Sequence, residues 1–265
     1  MHTAGRQLTN SGQLTKAEAL AEIFHRLRDL RVVFPDDYLV IDTETSGANV
    51  AKDFITQVGW CVVKDRRSVT HGDIVLDWTK SDGVNQQWLG ERMATTKQAL
   101  ANRGGQQHTD MRRMADEGLP PVEVLYQYWE MIDGVRTSGG YLLAHGGYHF
   151  DVPILRQHFR EFLSLDLDPA SIRLIDSGLM EKAAQAGMLP WPNDTLAGYF
   201  ERVADARLRG VYWSLDRHCV GAYGLVEKYQ LDMSAAHGAG FDCLCAHLVF
   251  EEQRRIVDVA PVQHR

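Results

Sequence analysis

Three short acidic segments, far apart in the sequence, place the strongest constraint on how this chain can fold. They are DTETSG at 42–47, AHGGYHFD at 144–151 and HGAGFD at 237–242. Each puts a carboxylate where the local pattern predicts the end of a strand or the start of a helix. A fold that joins the segments gathers four carboxylates, which repel one another unless a divalent cation neutralises them. The segments therefore predict a metal site.

Length and charge narrow the class of protein. The 265 residues suffice for one large domain or two small ones, and a hydrophobic content of 45% is normal for a filled core. A net charge of −7 argues against bulk attraction to nucleic acid, although an acidic metal site contributes to that charge. No apolar run approaches the roughly 20 residues of a membrane span, and the first residues lack a secretory pattern. These observations predict a cytoplasmic protein without a membrane partner.

The cysteines agree with a reducing compartment. They form no disulfide framework in the sequence. Cys243, Cys245 and His247 lie close together and raise the alternative of a zinc site. Residues i and i+2 point to different sides of a helix, however, and no C-x-x-C pair exists. We therefore expect these cysteines to lie in the core.

The hydrophobic pattern predicts one α/β domain around a central mixed sheet. Thr15 and Glu18 form a capping-box pattern at the start of a first helix. The remaining elements follow in the order β-β-β-α-β-α-β-α-α. Strands are predicted at 38–41, 54–63, 73–78, 141–144 and 172–175. Helices are predicted over 122–132, from Pro153, over 215–229 and over 241–254.

The predicted domain spans residues 36–255. A tail and helix at 1–35 precede it, and a tail at 256–265 follows it. Two stretches, at about 81–118 and 187–214, are predicted to be insertions. The second insertion carries three arginines that either follow a phosphate backbone or form a solvated charged face: Arg202, Arg207 and Arg209.

The first acidic segment offers two carboxylates on one side of a strand. Asp42 and Glu44 are i and i+2 after the apolar run YLVI, so both side chains point to the same face. A lone D-x-E is common among solvated acids and is weak evidence by itself. The small, polar TSG turn that follows would let backbone amides approach a ligand, which strengthens the functional interpretation.

The other two segments each combine a carboxylate with histidine. Asp151 opens a predicted helix, where an acid is also a common cap, and His145 and His149 nearby are either substrate contacts or structural. Asp242 begins the last helix, and His237 precedes it in a glycine-containing loop. This pattern suits an anchored metal ligand beside a mobile general base.

Together the three segments resemble motifs I, II and III of the DEDDh exonucleases, the superfamily of the epsilon proofreading subunit and of ribonuclease T. The matching elements are DTETSG, the FD at 150–151 and the H-x4-D at 237–242, in the family's order across about residues 36–255. The segment SLDRHCVGAYGL at 214–225 also resembles the family helix before motif III. The resemblance implies a ribonuclease H-like fold with a five-stranded mixed sheet flanked by helices.

The resemblance also implies roles for individual residues. Two divalent ions, Mg²⁺ or Mn²⁺, would be held by four carboxylates, with Asp42 bridging both, Glu44 and Asp242 on the first ion and Asp151 serving the second. His237 would deprotonate the attacking water. The backbone of 44–47 would grip the terminal nucleotide, which makes three further residues candidate substrate contacts: Thr45, Ser46 and Gly47.

The sequence departs from the family pattern at two positions. Gly146 stands where motif II commonly has asparagine, which puts the grip on the substrate in doubt. Cys243 stands where motif III commonly has alanine, which is a mild change. All the carboxylates and His237 are present, so the resemblance implies an active enzyme.

The sequence thus predicts a metal-dependent 3′→5′ exonuclease that releases nucleoside 5′-monophosphates from single-stranded or frayed DNA ends. Two alternatives stay open: an exoribonuclease that trims RNA, and a non-catalytic module of this fold that binds a polymerase. A polymerase or repair protein is the expected kind of protein partner.

Overall fold

In a computed structural model, residues 14–80, 90–91, 111–207, 211 and 213–259 are described. The described strands form one five-stranded sheet with the order β3-β2-β1-β4-β5. β2 pairs antiparallel with β1 and β3, whereas β4 runs parallel to both β1 and β5. The strands are β1 (Tyr38–Thr45), β2 (Ile55–Lys64), β3 (Arg67–Val75), β4 (Leu142–Ala144) and β5 (Leu174–Asp176).

Helices cover both faces of this mixed sheet. They are α1 (Lys16–Asp29), α2 (Met111–Glu117), α3 (Pro121–Thr137), α4 (Asp151–His158), α5 (Ser177–Ala186), α6 (Leu196–Asp205), α7 (Leu225–Tyr229) and α8 (Ala239–Val259). Short helical turns connect them: 3₁₀ turns at Trp78–Lys80, Pro169–Ser171 and Met233–Ala235, and π-helical turns at Phe159–Leu163 and Leu215–Val220. The capping box at Thr15 and Glu18 is confirmed at the start of α1.

The sheet separates two hydrophobic cores. Tyr38 and Val40 face the core shared with α1, α5, α6 and α8, whereas Leu39 and Ile41 face the core shared with α3 and α4. Successive side chains of a strand point to opposite faces, so Asp42 and Glu44 continue the row of Tyr38 and Val40. Because of this alternation, the side chains of Asp42 and Glu44 point to the face of the sheet that α8 covers.

Two predicted elements differ from the structure, and the helices α5 and α6 are additional to the prediction. The third strand was placed at 73–78, but β3 begins at Arg67 because the connection is a tight turn in which Asp65 and Arg66 have positive φ. The helix predicted over 215–229 is broken, and Gly224 at φ 63° separates a π-helical turn from α7. α5 was not predicted, and α6 lies inside the segment that was interpreted as an insertion.

Part of the predicted organisation lies outside the described residues. This applies to most of the insertion at 81–118 and to Arg209. Arg207 is exposed, whereas Arg202 donates to Asp194 and stacks 3.8 Å from the ring centre of Trp191. Among the helices that are described, none is long and apolar enough to cross a membrane.

Candidate active site

The two acids of the first segment lie at the end of β1, where its pairing with β2 becomes irregular. Asp42 pairs with Gly59 and Glu44 with Gln57, and the register shifts between Glu44 and Thr45. A bulge of this kind re-aims the side chains at a strand end and is frequent beside active sites. Both acids are partly buried on the α8 side of the sheet.

Asp242 reaches this position because α8 packs directly on the backbone of the sheet. A Cβ atom on Gly59 would lie 2.2 Å from the backbone carbon of Ala239, and a Cβ on Gly240 would lie 2.6 Å from the backbone carbon of Gly72. No larger residue at these glycines permits so close a contact. Gly240 was expected in a loop but lies in the first turn of α8, where its role is this close approach.

His237 lies beside Glu44 and Asp242. One potential ligand atom from each of these three residues falls within 4.8 Å of the others. His237 has φ 68°, a left-handed backbone that is uncommon outside glycine and that is found at functional sites. The Nε2 atom of its ring also lies 3.9 Å from a carboxylate oxygen of Asp216, an acid that the sequence analysis did not single out.

Asp151 approaches the same place from the other side of β1. It opens α4 and is only 5% exposed. Its carboxylate accepts hydrogen bonds from the backbone N–H of Thr43 at 2.8 Å and from the hydroxyl of Thr43 at 2.6 Å. Thr43 separates Asp42 from Glu44 in the strand, so these bonds tie the second acidic segment to the first.

The pKa shifts show that the four carboxylates interact with one another. Burial raises the pKa of Asp42 well above its usual range, and Asp151, Asp242 and Glu44 raise it further. Burial and the neighbouring acids raise the pKa of Glu44 to about 9. Burial also raises the pKa values of Asp151 and Asp242 to about 6, although hydrogen bonds from Thr43 and the charge of His237 oppose the rise. Without a cation, this cluster is short of positive charge.

The raised pKa values predict how the metal-free protein responds to pH. The unfolded chain ionises these acids near about pH 4, while the folded protein keeps them protonated to about 6 for Asp151 and Asp242 and about 9 for Glu44. The folded state then binds more protons, so the free energy of unfolding falls as pH rises through this window. Melting temperatures in EDTA at acidic, neutral and alkaline pH measure this, and Glu44→Gln should flatten the alkaline part. A melting temperature that rises across the window would contradict the cluster.

The turn after Glu44 is held by a residue that the sequence did not point to. Asp53 accepts from the hydroxyl of Ser46 at 3.1 Å and from the backbone of Asn49 at 2.6 Å. Ser46 is only 5% exposed, and both its N–H and its hydroxyl bond within the protein. The hydroxyl of Thr45 donates to the carbonyl of Gly47 at 2.7 Å. Ser46 therefore organises the turn.

The two histidines of the second segment have different surroundings. The ring of His145 contacts the hydroxyl of Ser177 at 2.9 Å through Nδ1 and the carbonyl of Trp213 at 2.6 Å through Nε2. Burial lowers the pKa of His145, which favours the neutral ring. These contacts favour the structural alternative for His145. His149 is exposed, so contact with a ligand is open to it.

A buried acid shapes the loop of the second segment. Asp176, at the end of β5, accepts from the backbone N–H groups of Gly146 at 2.8 Å and Tyr148 at 3.0 Å, and from Leu179 at 2.9 Å. It also caps α5. The sequence signal was an acid at a strand end before a Ser-Gly pair, the same signal that singled out Asp42.

The cysteines near Asp242 lie in the core, as predicted. Cys243 and Cys245 are buried in two different hydrophobic clusters. Nδ1 of His247 lies 2.8 Å from the hydroxyl of Tyr38. The side chains of Cys243, Cys245 and His247 therefore lie in different surroundings and do not converge on one point.

Similarity to known proteins is found by comparison of structures and not by comparison of sequences. No protein-family model matches the sequence, and no curated protein matches it. A zinc-bound form of E. coli exonuclease I in complex with single-stranded DNA aligns over 85% of this chain and 42% of its own chain, with a TM-score of 0.50 and 14% identity. The same enzyme in complex with a dA16 oligonucleotide aligns over 84% and 42%, with a TM-score of 0.48 and 16% identity.

The likeness to exonuclease I concerns the fold. At 14% identity it confirms the predicted α/β architecture, a five-stranded mixed sheet flanked by helices of the ribonuclease H-like kind. This chain spans less than half the length of the matched protein. The activity of exonuclease I therefore bears on this protein only as a proposal.

Proposed function

We propose that this protein is a divalent-metal-dependent 3′→5′ exonuclease that releases nucleoside 5′-monophosphates from single-stranded or frayed DNA ends. One observation carries the proposal: Asp42, Glu44, Asp151 and Asp242 meet beside His237 at the end of the central strand β1. The likeness in fold to a nuclease solved with single-stranded DNA supports the choice of substrate.

The residues present suit a pair of divalent ions. Carboxylate oxygens are the ligands that Mg²⁺ and Mn²⁺ prefer, and the raised pKa values show a cluster that a cation would stabilise. Asp42, Glu44 and Asp242 would hold one ion, and Asp42 with Asp151 the other. When bound, such ions supply positive charge that activates water and stabilises a leaving oxygen.

The residues of the chain supply the proton transfer and the positioning. His237 accepts the proton of the attacking water, because histidine is the commonest general base in enzymes and this imidazole lies beside the acids. The carboxylate of Asp216 lies 3.9 Å from Nε2, where it stabilises the imidazolium that results. The turn at 45–47, held by Asp53, sets the position of the terminal sugar.

Metal binding should raise thermal stability. A cation that binds only the folded arrangement of the four acids stabilises it by mass action, in addition to relieving their repulsion. We expect Mg²⁺ or Mn²⁺ to raise the melting temperature and EDTA to remove both this gain and the activity. Glu130→Gln, at an exposed acid of α3, is the control and should keep the full metal effect. An unchanged melting temperature at saturating metal, or cleavage in EDTA, would contradict the proposal.

Cleavage should start at a free 3′ terminus. A terminal hydroxyl fits against the backbone of the turn and the acidic side chains, whereas a 3′-phosphate adds bulk and negative charge there. We expect stepwise release from linear 5′-labelled strands, strong inhibition by a 3′-phosphate and no cleavage of a circular strand. Efficient cutting of the circle would show endonuclease action and would refute the exonuclease proposal.

Matched DNA and RNA strands in the same assay separate the alternatives. The catalytic acids suit both sugars, and contacts to the 2′ position decide between them. Faster release from RNA would favour the exoribonuclease. No release from either strand, with metal bound, would favour a non-catalytic binding module.

A further inference from the structure

Trp213 packs on the loop of the second acidic segment, at a glycine where any side chain would clash with the indole. A Cβ atom on Gly146 would lie 2.7 Å from the six-membered ring of Trp213, and a Cβ on Gly178 would lie 3.1 Å from the same ring. Gly146 also has φ 86°, a conformation that side chains rarely adopt. The indole therefore occupies the space that a side chain at residue 146 would fill.

The backbone of Trp213 is fixed by the same loop. Nε2 of His145 lies 2.6 Å from the carbonyl of Trp213, and Nδ1 lies 2.9 Å from the hydroxyl of Ser177. A carbonyl only accepts, so Nε2 carries the proton that it donates to the carbonyl of Trp213. The polar groups around His145 thus hold the tryptophan in place, which limits the entropy that it loses when a ligand packs against it.

The indole packs on the loop that leads to Asp151. Gly146 touches Trp213, and a Cβ on the adjacent Gly147 would lie 3.0 Å from a carboxylate oxygen of Asp151. Two neighbouring residues of the loop thus contact the ring and a proposed metal ligand. Trp213 is partly exposed, which leaves it accessible to a ligand.

We propose that Trp213 is a substrate-binding residue whose indole stacks on a nucleobase at or next to the 3′ end. This inference rests on the proposed nuclease function and specifies how the substrate is held. Every base has an aromatic face, so such a contact adds affinity without selecting a sequence. It also accounts for Gly146: the ring of Trp213 supplies the contact surface that this position lacks.

The test measures the coupling between the indole and a base. Trp213→Leu removes the aromatic ring, and Trp213→Phe retains one. Trp191→Leu is the matched control, because Trp191 lies in the same stretch of chain, is 59% exposed and stacks on Arg202. The ligands are 5′-labelled oligothymidylates, either intact or with an abasic residue at the last or the next-to-last position. Dissociation constants are measured with Ca²⁺, and kcat/KM with Mg²⁺.

We expect Trp213→Leu to weaken binding of the intact strand by roughly tenfold. The same change should have little effect on the strand that lacks the stacked base, and Trp213→Phe should retain most of the affinity. Trp191→Leu should bind as the wild type does. Equal losses on intact and abasic strands, or no loss at all, would overturn the inference, because a tryptophan that only supports the loop cannot distinguish them.

This experiment distinguishes a failure of the stacking inference from a failure of the proposed exonuclease function. Absence of nucleotide release from every strand by the wild type would contradict the exonuclease proposal. The binding measurements with Ca²⁺ would still decide whether the indole contacts a base.

Discussion

Asp42→Asn is expected to abolish nucleotide release while leaving the fold intact. Asp42 lies at the centre of the cluster, since the other three carboxylates all raise its pKa. Removing its charge removes the proposed bridge between two ions, which should cost several kcal/mol of transition-state stabilisation. That is a loss of at least about a thousandfold in kcat.

The same substitution should affect stability in the opposite direction. Asparagine has nearly the shape of aspartate but carries no charge, so the repulsion in the metal-free cluster decreases. We expect a melting temperature in EDTA at alkaline pH that equals or exceeds that of the wild type, and a smaller gain on adding Mn²⁺. Near-wild-type turnover by a folded Asp42→Asn protein would refute the metal-site assignment. Glu130→Gln, an exposed acid changed in the same way, serves as the control.

His237→Ala is expected to lower kcat by about two orders of magnitude or more, the usual contribution of a general base. Alanine also disfavours the left-handed backbone at this position, where φ is 68°. His237→Asn is therefore the better variant, because asparagine tolerates that conformation and cannot act as the base. Both variants should lose similar activity if the imidazole is the base.

Calorimetric titration with Mn²⁺ tests the role of His237 further. Its ring lies within 4.8 Å of ligand atoms of Glu44 and Asp242, so the geometry alone would also allow it to bind a metal. We expect metal affinity to change little in His237→Asn, because the carboxylates are the proposed ligands. A large loss of metal affinity with unchanged turnover would reverse the assignment.

The sequence determined the element on which each acid lies, because each acid carries a local signal. YLVI before Asp42 predicts a strand, and its period of two puts Asp42 and Glu44 on one face. Helix starts at Asp151 and near Asp242 follow from the apolar periodicity after them. These patterns are local and need no knowledge of what packs against them. The five-stranded α/β fold follows from their order together with the family resemblance.

Only the tertiary structure decided how closely the acids approach and what supports them. Gly59 reads as an unremarkable strand residue, yet its missing side chain lets Ala239 and the start of α8 touch the sheet. Asp53 and Asp176 were not singled out in the sequence, yet they hold the two backbone segments on which the proposed contacts depend. The contacts of Gly59 and Asp176 join residues far apart in the chain, so no periodicity of the sequence indicates them.

Gly146 shows most clearly the difference between what the sequence determines and what the tertiary structure determines. In the sequence it is a departure from a family motif and suggests a weaker grip on the substrate. In the structure its positive φ and the indole of Trp213 explain the glycine, and the indole comes from a residue 67 positions later in the chain. The sequence could show that a side chain was missing, because that is a property of one position. Which group fills the space depends on the path of the chain in three dimensions, which only the packing determines.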